Sequence, residues 1–342
     1  MKAAIFDGVG RPLRIGDLTP PEPATDEVAL RVAACGICGS DLHMTEDPVT
    51  FGVGQGTVLG HEFAGDVTEV GASVTSLKVG DRVAVAPMWG CGKCESCLKG
   101  EPAWCSEMRL IGGGYAEYTT VAARQCVRLP DELPIEEGAL AEPTSVGLHA
   151  VVRSGMKQGD KVLILGAGPI GLLVAFWARR MGANAVIVAD VHRHQEARAA
   201  AVGATGFAVS GPTLAAELEQ TIGGPPDIVF ECVGKKGLID FACRLVRVHG
   251  TVVGVGLCVG GDEWDPFAAL SKEIEIIFAA FFSMAEFATA IDALAGPGRF
   301  RPQALITDRI EFDGVPHTFE ALRKRTAQCK VLIAPATPAG NR

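Results

Sequence analysis

Positive charge is in short supply: 31 Lys and Arg face 40 Asp and Glu in 342 residues, a formal net charge of -9. A nucleic-acid-binding face needs clustered basic charge against the phosphates, so no nucleic-acid partner is expected. Long apolar runs are also lacking. The longest uncharged stretch, Val162 to Ala178, is broken by Gly166, Gly168, Pro169 and Gly171. It falls short of the ~20 residues that a membrane span requires, and reads instead as strand, turn and helix. The opening residues, Met1 to Asp7, have no apolar core and meet an acid at once, unlike a secretory leader. Internal repeats and low-complexity tracts are absent too. These absences together predict a soluble, cytoplasmic protein without a membrane anchor.

Cysteine, by contrast, is plentiful. The chain has 11, and Cys91, Cys94, Cys97 and Cys105 fall in one short segment. Without a secretory leader such clustering favours a metal over disulfides. The spacing C-x-x-C-x-x-C, then seven residues, then C, offers four thiolates to a tetrahedral zinc ion. A shell closed by four protein ligands has no place for substrate, so this zinc is expected to be structural. An iron–sulfur cluster is the rival use of four thiolates.

The length suffices for two domains with real cores. Residues 1–145 read as β-rich, with short apolar runs such as 28–32 and 81–85 between Gly and Pro. Residues 146–284 change character. Strand-like runs at 161–165, 185–189, 207–209, 227–230, 251–255 and 275–278 alternate with helical stretches, including one over 172–180. That alternation predicts an α/β fold, a doubly wound parallel sheet with helices on both faces. Residues 285–342 return to a helix, near 284–294, and short segments punctuated by Pro; the tail over 335–340 is expected to fray.

Gly166-Ala167-Gly168-Pro169-Ile170-Gly171 fits the dinucleotide fingerprint G-x-G-x-x-G. The context strengthens it: a buried-strand run precedes, a helical run follows, and Asp190 ends the next strand about twenty residues on. Gly166 permits the tight turn, Gly168 a close approach of pyrophosphate, and Gly171 tight packing of helix on strand. The helix N-terminus offers unpaired N–H groups to the phosphates. Asp190 suits the ribose hydroxyls of NAD and repels the extra phosphate of NADP, although His192 and Arg193 close by leave room for some NADP use.

A second metal set is scattered: Cys38 within Cys35–His43, His61 and Glu62 after Gly60, and Glu142 before Pro143. A thiolate, an imidazole and a carboxylate make a three-point zinc shell with one place open for water or substrate. On spacing alone Cys38 and His61 are equally readable as core residues.

The motifs Gly36-Ile37-Cys38-Gly39-Ser40-Asp41, Gly60-His61-Glu62, the cysteine lobe, Val79–Val83, Glu142-Pro143 and Gly166–Gly171 occur in one order over nearly the whole chain. In this the chain resembles the zinc-containing medium-chain alcohol dehydrogenases, above all their sorbitol/polyol and threonine dehydrogenase branch. The resemblance implies a GroES-like catalytic domain, residues 1–145 completed by 285–342, and a Rossmann NAD-binding domain, 146–284, with the active site in a cleft between them. It implies Cys38 and His61 as ligands of the catalytic zinc, Asp41 as the carboxylate that orients the imidazole, Ser40 as acceptor of the alcohol proton and His43 as the group that passes it toward solvent. Glu62 and Glu142 compete for the third ligand position. The implied reaction is hydride transfer between NAD and an alcohol/carbonyl pair, a small-molecule secondary alcohol or polyol first. The alternatives are a 3-hydroxy amino acid, a cyclic or primary alcohol, or a non-catalytic NAD-binding relative. Met88, Trp89, Phe51 and Phe281 are candidates to line the substrate pocket. A homo-oligomer, dimer or tetramer, is implied, joined through an edge strand. His149 reads as packing, and Cys35, Cys126, Cys232, Cys243, Cys258 and Cys329 as small buried hydrophobes.

Overall fold

The computed structural model describes residues 1–324 and 327–335; most of the 335–340 tail lies outside the described residues. The chain forms two compact units. One comprises Met1–Glu142, Ser283–Pro297 and the chain from Ile306 on; the other comprises Pro143–Phe282 and Gly298–Leu305.

The first unit is built on a seven-stranded sheet. Its spatial order is Ile306–Ile310, Lys330–Ile333, Glu27–Gly36, Glu62–Val70, Arg82–Val85 and Cys126–Arg128, with Tyr118–Ala122 also paired to Glu27–Gly36. The register sets Gly36 opposite Glu62 on one side and Leu332 on the other. The end of Glu27–Gly36, which leads to Cys38, and the start of Glu62–Val70 therefore meet at one corner, beside strand Lys330–Ile333. Alternating apolar residues (Val28, Leu30, Val32, Phe63, Val67, Val83, Val85) pack with Tyr115, Phe319, Val331 and Ile333 into one core. A short ribbon, Met88–Trp89 with Arg109–Leu110, opens into the cysteine lobe.

The second unit holds the doubly wound sheet that the alternation predicts. Six parallel strands lie in the order Gly206–Val209, Ala185–Asp190, Lys161–Leu165, Ile228–Glu231, Thr251–Gly254, Glu275–Phe278. Its central runs are continuously apolar because helices cover both faces; Ala185–Asp190 is buried at every residue. The strand order reverses between Lys161–Leu165 and Ile228–Glu231, the switch point at which such sheets bind ligands. The helix expected from residue 172 starts earlier, at Pro169. Proline suits that first position, where its missing N–H has no helical partner to lose. Among the described residues no helix is long and apolar enough to cross a membrane.

Candidate active site

Strand Glu27–Gly36 delivers the chain to Cys38, which caps the short helix Gly39–Glu46. Asp41, third in that helix, reaches back so that its Oδ2 accepts from the Cys38 N–H at 3.0 Å. Ser40 donates its hydroxyl to Cys38 Sγ at 3.1 Å and lies 3.4 Å from His61 Nε2. His61 follows Gly60, whose φ of 88° and lack of a side chain are both required: a Cβ there would lie 2.4 Å from the Tyr115 ring. His61 Nδ1 is 3.2 Å from Asp41 Oδ1. With Nδ1–H donating to the carboxylate, Nε2 is left as the coordinating nitrogen.

Glu62 points into the same corner. Both of its oxygens accept from Lys330 Nζ, at 2.7 and 2.6 Å, and Lys330 also donates to the Ile37 carbonyl at 3.1 Å. Gly36 is glycine for this carboxylate, since a Cβ there would sit 2.1 Å from Glu62 Oε2. The ligand atoms of Cys38, His61 and Glu62 lie within 4.8 Å of one another, as a single cation would require. Glu142 stands outside that trio, in the first turn of helix Ala141–Arg153, and is buried. Burial pushes its carboxyl up to about 7, against the pull of His61 and Lys330. For His61, burial opposes the charged ring, but the Asp41 charge and hydrogen bond prevail and raise it well above the usual imidazole range. A soft sulfur, an imidazole and two buried acids balanced by one lysine form a donor set that fits zinc.

His43 lies further along the same helix, half-exposed, with Nδ1 3.6 Å from Glu46 Oε2. His149 is buried on helix Ala141–Arg153. Of the cysteines read as buried hydrophobes, Cys35, Cys243 and Cys329 are buried; Cys126, Cys232 and Cys258 are only partly so, Cys126 opening a strand, Cys232 just past one and Cys258 in a loop. Met88 is buried, and Phe281 is half-buried at a positive φ of 61°.

Two residues at this corner escaped sequence reading, Lys330 and Tyr115. Lys330 had a visible signal. A lysine opening the apolar strand Lys330–Ile333 needs an anion if the strand end is buried, although nothing local says which. Tyr115 follows three glycines and had no signal of its own.

In the cysteine lobe the four sulfurs also lie within 4.8 Å of one another, and all four cysteines are free of disulfides. Backbone N–H groups of Cys91 and Glu107 point at Cys105 Sγ, each at 3.4 Å. The N–H groups of Lys93 and Cys94 draw the Cys91 thiol down to about 6, while burial among its neighbours pushes Cys97 up to about 12. Sulfurs crowded this closely give up their remaining protons to a divalent cation. Arg124 grips the entrance, donating twice to the Gly90 carbonyl at 3.0 and 2.8 Å while stacked 4.9 Å over Trp89.

In the glycine-rich turn, Gly166 has φ 101°, and a Cβ there would strike Val233 at 2.7 Å; a Cβ on Gly171 would lie 2.0 Å from the Gly166 carbonyl. Gly168 differs: nothing lies within 4 Å of where its Cβ would be. That open space at the N-terminus of helix Pro169–Arg180 is the cradle that a pyrophosphate needs. Asp190 is tied to the turn, Oδ2 accepting from the Ala167 N–H at 2.8 Å and Oδ1 from the Val191 N–H at 2.7 Å. Arg193 is exposed and paired with Glu196 at 2.9 Å.

Residues 24–131 match the alcohol dehydrogenase GroES-like domain, and residues 169–296 match the zinc-binding dehydrogenase family. A sorbitol dehydrogenase from Bacillus subtilis (strain 168) is 34% identical over 348 aligned positions, covering 98% of this chain and 97% of the relative. Among solved structures, a protein titled a zinc-binding dehydrogenase, from Sinorhizobium meliloti 1021 and bound to NADP, superposes with a TM-score of 0.85 at 32% identity, covering 98% and 99% of the two chains. An Escherichia coli CFT073 alcohol dehydrogenase complexed with NADH gives a TM-score of 0.88 at 28% identity, with coverage of 98% and 99%. The chain therefore belongs to the zinc-containing medium-chain alcohol dehydrogenase family. It is an oxidoreductase acting on CH–OH donors, with zinc and a nicotinamide dinucleotide as its cofactors.

Proposed function

We propose that this chain interconverts a secondary alcohol, most favourably one hydroxyl of a polyol, and the corresponding ketone, with NAD as the hydride carrier. One observation carries the reading. Cys38, His61 and Glu62 present ligand atoms within 4.8 Å of one another, with the Ser40 hydroxyl in hydrogen-bond reach of the first two.

Cys38 and His61 would hold the catalytic zinc, while Glu62 and Glu142 share the third place: Glu62 is nearer but held by Lys330, and Glu142 is buried and ready to ionise beside a cation. Cys91, Cys94, Cys97 and Cys105 would hold the second ion, and the turn at Gly166–Gly171 the dinucleotide. Bound there, zinc supplies a Lewis acid that makes an alcohol easier to deprotonate, and NAD supplies the hydride acceptor. The chain's own residues manage the proton. Ser40 Oγ takes it from the substrate hydroxyl, and the half-exposed His43 passes it to solvent. Asp41 fixes the His61 tautomer throughout.

Asp190 favours NAD by accepting from ribose hydroxyls and repelling a 2′-phosphate. Asp190→Ser should shift the NAD to NADP ratio of kcat/KM by about tenfold toward NADP, ~1.4 kcal/mol. The edge strand Glu275–Phe278, with Phe278 70% exposed and Phe267 and Leu270 as exposed nearby, suits pairing of chains into a cytoplasmic dimer or tetramer. The polyol reading draws on the sorbitol dehydrogenase relative. The test is NADH absorbance at 340 nm with polyols, simple secondary, cyclic and primary alcohols, and 3-hydroxy amino acids. The highest kcat/KM should fall among the polyols. A higher value for another class replaces the substrate assignment, and silence across all of them defeats the catalytic reading.

A further inference from the structure

We propose that Tyr115 is a positioning residue of the metal site, its phenol O–H holding the Asp41 carboxylate in the orientation that aims His61. The inference rests on the zinc reading above and deepens it.

Tyr115 is wholly buried, and its hydroxyl donates to Asp41 Oδ2 at 2.6 Å. That oxygen also accepts from the Cys38 N–H at 3.0 Å, and the other faces His61 Nδ1 at 3.2 Å. Donors from three separate segments thus fix both the position and the plane of one carboxylate. The tyrosine is itself fixed. The N–H groups of Gly113 and Tyr115 donate to the Leu59 carbonyl at 3.1 and 3.0 Å, and Gly114 N–H donates to the Gly60 carbonyl at 2.9 Å. The segment carrying Tyr115 is therefore bonded along the residues that lead into His61. Its ring fills the space that Gly60 leaves and meets Phe319 edge to face at 6.4 Å.

Packing alone does not call for the hydroxyl. A phenylalanine ring would fill the same space, and a buried hydroxyl costs free energy unless it finds a partner. Its partner is the carboxylate that fixes the His61 tautomer. Burial and the Asp41 charge hold the phenol well above its usual range, so it remains a donor at working pH. Partners of this kind, one step removed from a metal, typically change its affinity by about 10–100-fold when removed.

The experiment is graded competition for Zn2+ between the folded protein and a chelator, with bound zinc counted. In Tyr115→Phe one of two zinc ions should be lost at a chelator concentration at least about tenfold lower than in the wild type, the other being unchanged. Asp41→Asn should weaken the same ion, and adding Tyr115→Phe to it should change little more. If Tyr115→Phe keeps both ions as tightly as the wild type, or if the two substitutions act additively, the proposal is overturned. Should Tyr115→Phe fail to fold, Asp41→Asn reads the pair from its other side, and unchanged zinc affinity there also overturns it. Cys38→Ser separates the two levels. If it keeps both ions, the zinc reading falls; if it loses one while Tyr115→Phe loses none, only the role of Tyr115 falls.

Discussion

The cysteine lobe and the Cys38 corner lie in the same unit and are both candidate metal centres, yet they are built in opposite ways. The lobe draws its four donors from a single segment, Cys91 to Cys105, and is held at the rim by Arg124. The Cys38 corner assembles three kinds of donor from distant segments. It surrounds them with buried partners: Asp41 and Tyr115 on the His61 side, Lys330 on the Glu62 side. A site made only of local sulfur serves the fold, because a closed shell leaves no room for chemistry. A site that must leave one place open cannot rely on its ligands alone for shape, so its geometry is carried by the residues behind them.

The strongest way to break this contrast is to remove one ligand from each centre. Cys38→Ser or His61→Ala should reduce bound zinc from two ions to one and turnover by at least about a thousandfold, ~4 kcal/mol of barrier, with little change in melting temperature. Cys97→Ser should do the reverse, lowering the melting temperature and chelator resistance more than the activity of what remains folded. Metal content, kcat and thermal unfolding measured on the same preparations decide it. If Cys97→Ser proves the more damaging to kcat in fully folded protein, the assignment of the two centres is inverted.

The next largest effect concerns the partners rather than the ligands. Lys330 is buried, and both Glu62 oxygens depend on it. Lys330→Met leaves Glu62 as an uncompensated buried anion and should cost about 3–5 kcal/mol in denaturant unfolding of the zinc-free protein. Adding Glu62→Gln should restore much of that loss. A mild single-variant cost with no recovery in the double would mean the pair is not the support described. Arg124 beside the lobe differs: it grips the Gly90 carbonyl and pairs with the exposed Asp26, so its removal strands no buried anion.

These two regions also differ in how far they could be read from sequence, for the same reason. The lobe was fully legible because its spacing is its geometry. The glycine-rich turn was legible because Gly166 and Gly171 answer local steric demands, as the contacts awaiting a Cβ there demonstrate, while Gly168 leaves open space for a ligand. The parallel sheet could be read from continuous apolar runs, though the helix start at Pro169 was missed by following the apolar pattern instead of the proline. The Cys38 corner was half legible. Its residues stood out only through family resemblance, since strand register, and not spacing, brings Gly36, Glu62 and Lys330 together. Tyr115 was invisible because its partner Asp41 is 74 positions away in sequence.

Titration sharpens the contrast further. Without zinc, the folded Glu142 carboxyl stands at about 7, above its ordinary 4.5, and His61 stands above its ordinary 6.5. A folded pKa above the unfolded one means that the folded state binds the extra proton, so stability falls as pH rises across that window. The zinc-free protein should therefore lose stability from about pH 5 upward through neutrality. Zinc should remove that slope, because it binds the deprotonated ligands. Melting temperatures from pH 5 to 8, with and without zinc, provide the check. A zinc-free profile that rises with pH would contradict the charge balance at this corner.

The smallest effect tests Arg124, which supports the lobe from outside. Arg124 makes two hydrogen bonds to the Gly90 carbonyl, pairs with Asp26 at 2.7 Å and stacks on Trp89, which carries Arg109 at 4.2 Å on the same ring. Lysine keeps the charge but not the planar fork. Arg124→Lys should then cost about 1 kcal/mol in unfolding and speed the loss of the lobe's zinc to a chelator, with kcat for alcohol oxidation unchanged. If kcat falls along with zinc retention, the lobe is coupled to the catalytic corner rather than serving the fold alone. The division of labour between the two centres would then have to be redrawn around the chain that joins them, from Cys38 through His61 to Cys91.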